Sequence, residues 1–134
     1  MNILIIDAQG GGIGRQLVAA VKENIPGAFV TAVGTNSAAT SAMLKAGADI
    51  AATGENAVVV NSRKADVITG PVGIVIADSL HGEITPAMAA AVAQSSAKRI
   101  LIPVNHCDNI VVGVESLNIG KLIQDVISEL QKMP

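Results

Sequence analysis

Tryptophan and tyrosine are absent from this chain, and phenylalanine occurs once. Aromatic stacking on bases or flat rings therefore has almost nothing to use. Cationic residues are few and scattered, nine Lys and Arg against eleven Asp and Glu, for a formal net charge of −2. No basic cluster exists to neutralise a phosphate backbone, so no nucleic-acid partner is expected. Cys107 is the one cysteine, which excludes an internal disulfide and a cysteine cage for a metal. No apolar run approaches the roughly 20 residues that span a bilayer. The opening "MNILIID" also lacks the cationic start and long apolar stretch of a signal peptide. A soluble, cytoplasmic protein with no membrane partner is the expectation.

What is present is aliphatic. Half of the 134 residues are apolar and 15% are charged. A core of Ile, Val, Leu, Met and Ala is what fills a parallel sheet covered by helices. So low a share of charge points to self-association that covers surplus apolar surface. The length is that of one domain, and no linker or repeat divides it, so residues 1–134 are expected to fold as one unit.

Asn2 to Asp7 is nearly all apolar, as in a strand buried on both faces. Ile13, Leu17, Val21 and Ile25 then recur at helical spacing until Pro26–Gly27 ends the run. Ala28 to Val33 reads as a second strand. A helix of small residues follows over Ser37 to Ala46, with Asn36 or Ser37 as cap and Gly47 beyond its end. Asp49–Ala52 predicts a third strand, Asn56–Arg63 a short helix and Asp66–Gly70 a fourth strand. Residues 72–79 fit either a strand or a short helix, with Pro71 favouring helix. "ITPAMAAAVAQSSA" predicts a helix capped by Thr85 with Pro86 in its first turn, and Arg99–Val104 and Ile110–Val114 predict strands. Ile119, Leu122, Ile123, Val126, Ile127 and Leu130 make the stripe of a last amphipathic helix. Strands alternating with helices give a single-domain, Rossmann-like α/β fold, a mostly parallel sheet with helices on both faces.

The chemistry is expected where the first strand meets the first helix, in "IIDAQGGGIGRQLV". Glycines there let a ligand approach the main chain without meeting a Cβ. The amides of Ile13, Gly14 and Arg15 are expected to point outward beside the positive end of the helix dipole, where an anion gains roughly 0.3–1 kcal/mol. The dinucleotide pattern is incomplete. Its three glycine positions fall on Gln9, Gly11 and Gly14, and the short-chain dehydrogenase spacing falls on Ala8, Gly12 and Gly14. The second strand ends in Gly34, Thr35 and Asn36, with neither the carboxylate that holds a ribose in NAD sites nor an arginine for NADP. A mononucleotide or phosphosugar fits these residues better than a dinucleotide. The binding set is therefore Gln9, Gly10, Gly11, Gly12, Ile13, Gly14 and Arg15, with Thr35 and Asn36, and with Asn56 and Thr69 completing the pocket. Asp7 could hold Mg²⁺ beside a phosphate, but capping the glycine loop by accepting its amides is the favoured role.

Other polar loops gather on the same sheet edge: Thr53, Glu55, Asn105, His106 and Asp108. "HGE" at 81–83 and "NHCD" at 105–108 lack metal-site spacing, so no metal is expected. Adjacent His106 and Cys107 would point to opposite faces, which argues against a nucleophile and its base. The helix after Thr85 is small and apolar on nearly every side, which suits burial between the sheet and a second subunit in a homo-oligomer.

Together "IDAQGGGIG", "GTNSAATSAMLKAGAD", "ATGENAVVVN", "GPVGIVIADSLHGEITPAMA" and "ILIPVN" resemble domain-of-unknown-function family 3842, a group of short bacterial proteins. The resemblance spans essentially the whole chain and implies a small stand-alone bacterial protein. It implies no activity, substrate or catalytic residue. Three readings follow from the residues: binding of a small phosphorylated ligand, a non-catalytic oligomeric or adaptor protein whose glycine loop only packs, and an enzyme using Asp7 or Glu83 as acid or base. Binding leads.

Overall fold

The computed structural model describes residues 1–104, 108–114 and 118–134. Among them run β1 (Asn2–Asp7), α1 (Gly12–Asn24), β2 (Phe29–Gly34), α2 (Ser37–Lys45), β3 (Ile50–Thr53), α3 (Glu55–Ser62), β4 (Val67–Pro71), a 3-10 turn (Val72–Val75), α4 (Pro86–Gln94), β5 (Lys98–Ile102) and α5 (Ile119–Gln131). The strands form one parallel sheet in the order β3-β2-β1-β4-β5. The α/β architecture read from the sequence is the one observed.

Helices cover both faces, which is why β1 is apolar at every central position. Ile3 and Ile5 face Leu17, Val21 and Met43 on one side with Val126 and Ile127 of α5. Leu4 and Ile6 face Val58, Ile74, Met88 and Val92 of the α3–α4 side. Each of these four β1 residues is at most 1% exposed. Burying one such side chain contributes roughly 1.5–3 kcal/mol, so the two-sided core is the main source of stability.

Sheet order decides where a ligand could sit. From β1 the chain winds outward to β2 and β3, then returns across the other face to β4, on β1's opposite side. The order thus reverses beside β1, and in open parallel sheets the crevice outside the carboxyl ends at such a point receives ligands. The β1–α1 loop lies there.

One expectation is corrected and another is narrowed. Ile110–Val114 is not a strand: Ile110 is 88% and Val112 92% exposed, and a β-prone stretch without a neighbouring ladder has nothing to pair with. Residues 72–79, where Pro71 favoured a short helix, hold a four-residue 3-10 helix over Val72–Val75 that ends where Ile76 turns to extended backbone. No helix among the described residues is long and apolar enough to cross a membrane.

Candidate functional site

Asp7 ends β1 and is 5% exposed. Its carboxylate accepts the Ala8 N–H at 2.8 Å on Oδ1 and the Gly14 N–H at 2.7 Å on Oδ2. This is the loop-capping role expected of it. Burial raises its pKa above the ordinary aspartate value, the Gly14 and Ala8 amides pull it back, and the charge of Glu83 pushes it up again. Gly14 makes the arrangement possible. A Cβ there would lie 2.8 Å from the Asp7 Cβ and 2.6 Å from the Met43 Sδ, so only glycine lets α1 settle onto the strand end.

Gly11 is the N-cap of α1 at φ 74°, and its side contributes no capping hydrogen bond. Its N–H donates to the Ala8 carbonyl at 3.0 Å, and its own carbonyl accepts the Arg15 N–H at 2.9 Å. The expectation of outward amides at Ile13, Gly14 and Arg15 therefore needs correction. Gly14 and Arg15 donate within the protein, and the Ile13 amide also acts on Asp7. A buried carboxylate at the strand end is a stronger acceptor than water, so it takes the Gly14 and Ile13 donors first, while Arg15 closes the first helical turn on Gly11. Gly10 and Gly12 differ. Among the described residues neither N–H has a protein acceptor, both residues are exposed, and a Cβ at either would meet nothing within 4 Å. Arg15 stands exposed in the first turn of α1, outside the ion pairs of the described residues.

A second carboxylate closes the edge. Between β4 and α4 the chain makes a tight loop, with the Asp78 N–H on the Ile84 carbonyl at 2.7 Å and left-handed backbone at Asp78, Leu80, His81 and Gly82. Leu80 and Ile84 are buried and anchor it. Glu83, between these anchors, reaches across to the ends of β1 and β2. Its Oε1 accepts the Gln9 N–H at 3.0 Å, the Thr35 hydroxyl at 2.6 Å and the Asn36 Nδ2 at 2.8 Å. Partial burial opposes the charge. The hydrogen bonds from Thr35, Gln9 and Asn36, with His81 nearby, outweigh it and hold the pKa below the ordinary glutamate value. Among the described residues Oε2 takes no hydrogen bond, and it is not sealed from solvent.

Asn36 ties the pieces together. Its Oδ1 caps α2 by accepting the Ala39 N–H at 3.0 Å, and its Nδ2 donates to the Gln9 carbonyl at 3.0 Å as well as to Glu83. The structure thus brings Gln9, the glycines, Thr35 and Asn36 together. It does not bring Asn56 or Thr69 to them. Asn56 lies exposed in the first turn of α3 outside this network, and Thr69 is fully buried within β4 beside Ile5 and Ile100, its hydroxyl without a partner among the described residues. Asn105, His106 and Cys107 lie outside the described residues, and no metal-ligand cluster occurs among those described. Sequence reading undervalued Glu83, which sits 48 positions from Thr35 and carries no local pattern; only the "HGE" turn hinted at a chain reversal.

The chain belongs to the family described as a domain of unknown function, DUF3842, which it matches over residues 2–134. No curated protein matches it. Among solved structures it is similar to a dodecameric FMN-dependent UbiX-like decarboxylase from Escherichia coli O157:H7, at 15% identity and a TM-score of 0.54, over 98% of this chain and 95% of that one. At that identity the likeness shows the α/β fold.

Proposed function

We propose that this protein binds a small phosphate-bearing ligand, a nucleotide or phosphosugar, on the outer surface of the β1–α1 loop. The observation that carries the reading is the pair of amides at Gly10 and Gly12, unengaged among the described residues, in exposed glycines at the start of a 13-residue helix where a Cβ would meet nothing within 4 Å. Main-chain N–H groups at a helix N-terminus favour an anion through both hydrogen bonds and the dipole. Arg15, one turn in, adds a cation within side-chain reach. The loop's place at the sheet's switch point and the likeness to an FMN-dependent protein support the same reading. Nothing in the geometry assigns a reaction.

The test is a thermal-shift series with AMP, FMN, ribose 5-phosphate and inorganic phosphate. A ligand at a hundred times its Kd stabilises by about 2.7 kcal/mol, several degrees in Tm for a domain of this size. A rise with phosphorylated compounds that is lost in Gly12→Val supports the reading. No shift with any of them overturns it.

A second reading concerns assembly. The outer side of α4 presents Ala87, Ala90 and Gln94 beside Val59 of α3, in a shallow groove of small residues, and the similar decarboxylase is a dodecamer. We propose a homo-oligomer formed through this face, the use expected of that helix. Light scattering decides it, and a monomer at all concentrations overturns it.

A further inference from the structure

We propose that Oε2 of Glu83 accepts the vicinal hydroxyls of a sugar, so that this edge of the sheet recognises the ribose of a nucleotide or of a phosphosugar. This rests on the phosphate reading above and adds the other end of the ligand.

Three observations carry it. In dinucleotide-type sheets a carboxylate at the carboxyl end of the second strand accepts the ribose hydroxyls. Here that strand runs into Gly34, Thr35 and Asn36, none of them acidic. The β4–α4 segment delivers the missing group in space, with Oε1 at 2.6 Å from the Thr35 hydroxyl and 2.8 Å from the Asn36 amide. A carboxylate from a distant loop thus stands at the end of β2.

The two oxygens of Glu83 are also used unequally. Among the described residues Oε1 takes three donors, while Oε2 takes none and is not sealed from solvent. Three bonds on one oxygen fix the plane of the carboxylate and leave the other as a directed acceptor. Such a group, ionised at neutral pH, can only accept. It therefore suits hydroxyls and disfavours a phosphate placed directly upon it.

The third observation is order along the chain. The Gln9 N–H is spent on Glu83, and the next amide, that of Gly10, is free. The Glu83 carboxylate is thus held by the amide that immediately precedes the free Gly10 amide, so hydroxyl acceptor and phosphate donor meet at neighbouring residues of the loop. A sugar carrying its phosphate a few bonds from a diol is the kind of ligand that engages both groups. The charge of Glu83 sets the direction, phosphate towards Gly12 and hydroxyls towards Asn36.

The experiment is calorimetric titration of the whole protein with AMP, 2′,3′-dideoxy-AMP, adenosine and inorganic phosphate, repeated on Glu83→Gln. The amide keeps one carbonyl for the three donors but turns the free oxygen into a donor group. AMP is expected to bind wild type at least about tenfold more tightly than the dideoxy compound, and Glu83→Gln to erase that ratio. Equal binding of both by wild type overturns the proposal while leaving the phosphate reading intact. Binding of adenosine by wild type alone, with no affinity for inorganic phosphate or the dideoxy compound, sustains the Glu83 assignment and removes the phosphate reading. No binding of any of the four removes both. The wild-type ratio decides even if Glu83→Gln fails to fold. Ribose 5-phosphate against AMP then separates a phosphosugar from a nucleotide.

Discussion

The β1–α1 and β2–α2 junctions lie side by side, with Asp7 paired to Gly34, and their helices pack together on the same face of the sheet. They begin their helices by different means. At α2 the cap is local: Asn36 covers the amide of Ala39, three residues ahead. At α1 the cap residue is Gly11, with no side chain to offer, and the acceptor comes from Asp7, seven residues before the Gly14 amide it holds. Both solutions satisfy orphan donors. The remote one engages the helix from underneath, through the strand, and leaves Gly10 and Gly12 facing outward. The local one seals the turn, because Asn36 and Thr35 are then joined to Glu83. One junction is built to stay closed, and its neighbour is left available.

If that contrast is right, the largest effect comes from filling the space beneath α1. Gly14→Ala places a methyl against the Asp7 Cβ and the Met43 Sδ. Met43 can swing away, but Asp7 is held by two amides. A loss of about 2–3 kcal/mol is expected, at the upper end for overpacking. Asn36→Ala removes the α2 cap and the link to Gln9 and Glu83, and is expected to lose about 1–2 kcal/mol. Urea unfolding of both measures the difference. A milder effect at Gly14 than at Asn36 would break the comparison, since it would make the remote cap the looser of the two.

A smaller effect separates the two carboxylates by pH. Asp7 has its pKa raised in the fold, chiefly by burial, so the native state holds that proton more tightly than the unfolded chain does. Its contribution to stability declines as pH rises from the unfolded value, about 3.9, through the higher folded one. Glu83 has the opposite sign. Its folded pKa is lowered despite burial by Thr35, Gln9 and Asn36, so its contribution is present above the unfolded value and is lost as pH falls through the folded one. Unfolding curves of wild type, Asp7→Asn and Glu83→Gln between about pH 3 and pH 7 read both. The stability of Asp7→Asn relative to wild type should rise with pH, and that of Glu83→Gln should fall. Parallel curves for all three would mean that neither carboxylate senses the fold.

How much of this could be read in advance depends on distance along the chain. The strands and helices were legible because periodicity is local: the stripe from Ile119 to Leu130 and the apolar β1 need no partner to be recognised. The Asn36 cap was legible for the same reason. The apolar 110–114 stretch misled, because strand propensity measures fitness for a ladder and says nothing of whether one is there. The glycine loop was half legible. Its place followed from the strand-to-helix hand-over, but which amides stay free depends on where Asp7 points, and that is settled by packing. Glu83 was singled out as a candidate acid or base, but its bonds to Gln9, Thr35 and Asn36 were hidden. A carboxylate 47 positions from Asn36, held by a loop with left-handed backbone at Asp78, Leu80, His81 and Gly82, leaves no periodic trace.

The sharpest comparison lies within the loop, between Gly14 and Gly12. Both are in the first turn of α1, and both were expected to serve the same anion. Gly14 is enclosed, while a Cβ at Gly12 meets nothing within 4 Å, and Gly12 does not need left-handed backbone. Gly12→Val should therefore leave stability within about 0.5 kcal/mol of wild type, because the side chain enters solvent and glycine in a helix is itself costly. The same side chain stands where an anion would have to approach the free amides, so ligand-induced stabilisation should vanish. Loss of the shift with an unchanged unliganded Tm would separate binding from folding at one residue. An unliganded protein as damaged as Gly14→Ala would instead mean that the outer glycines pack like the inner ones, and that the open junction is closed after all.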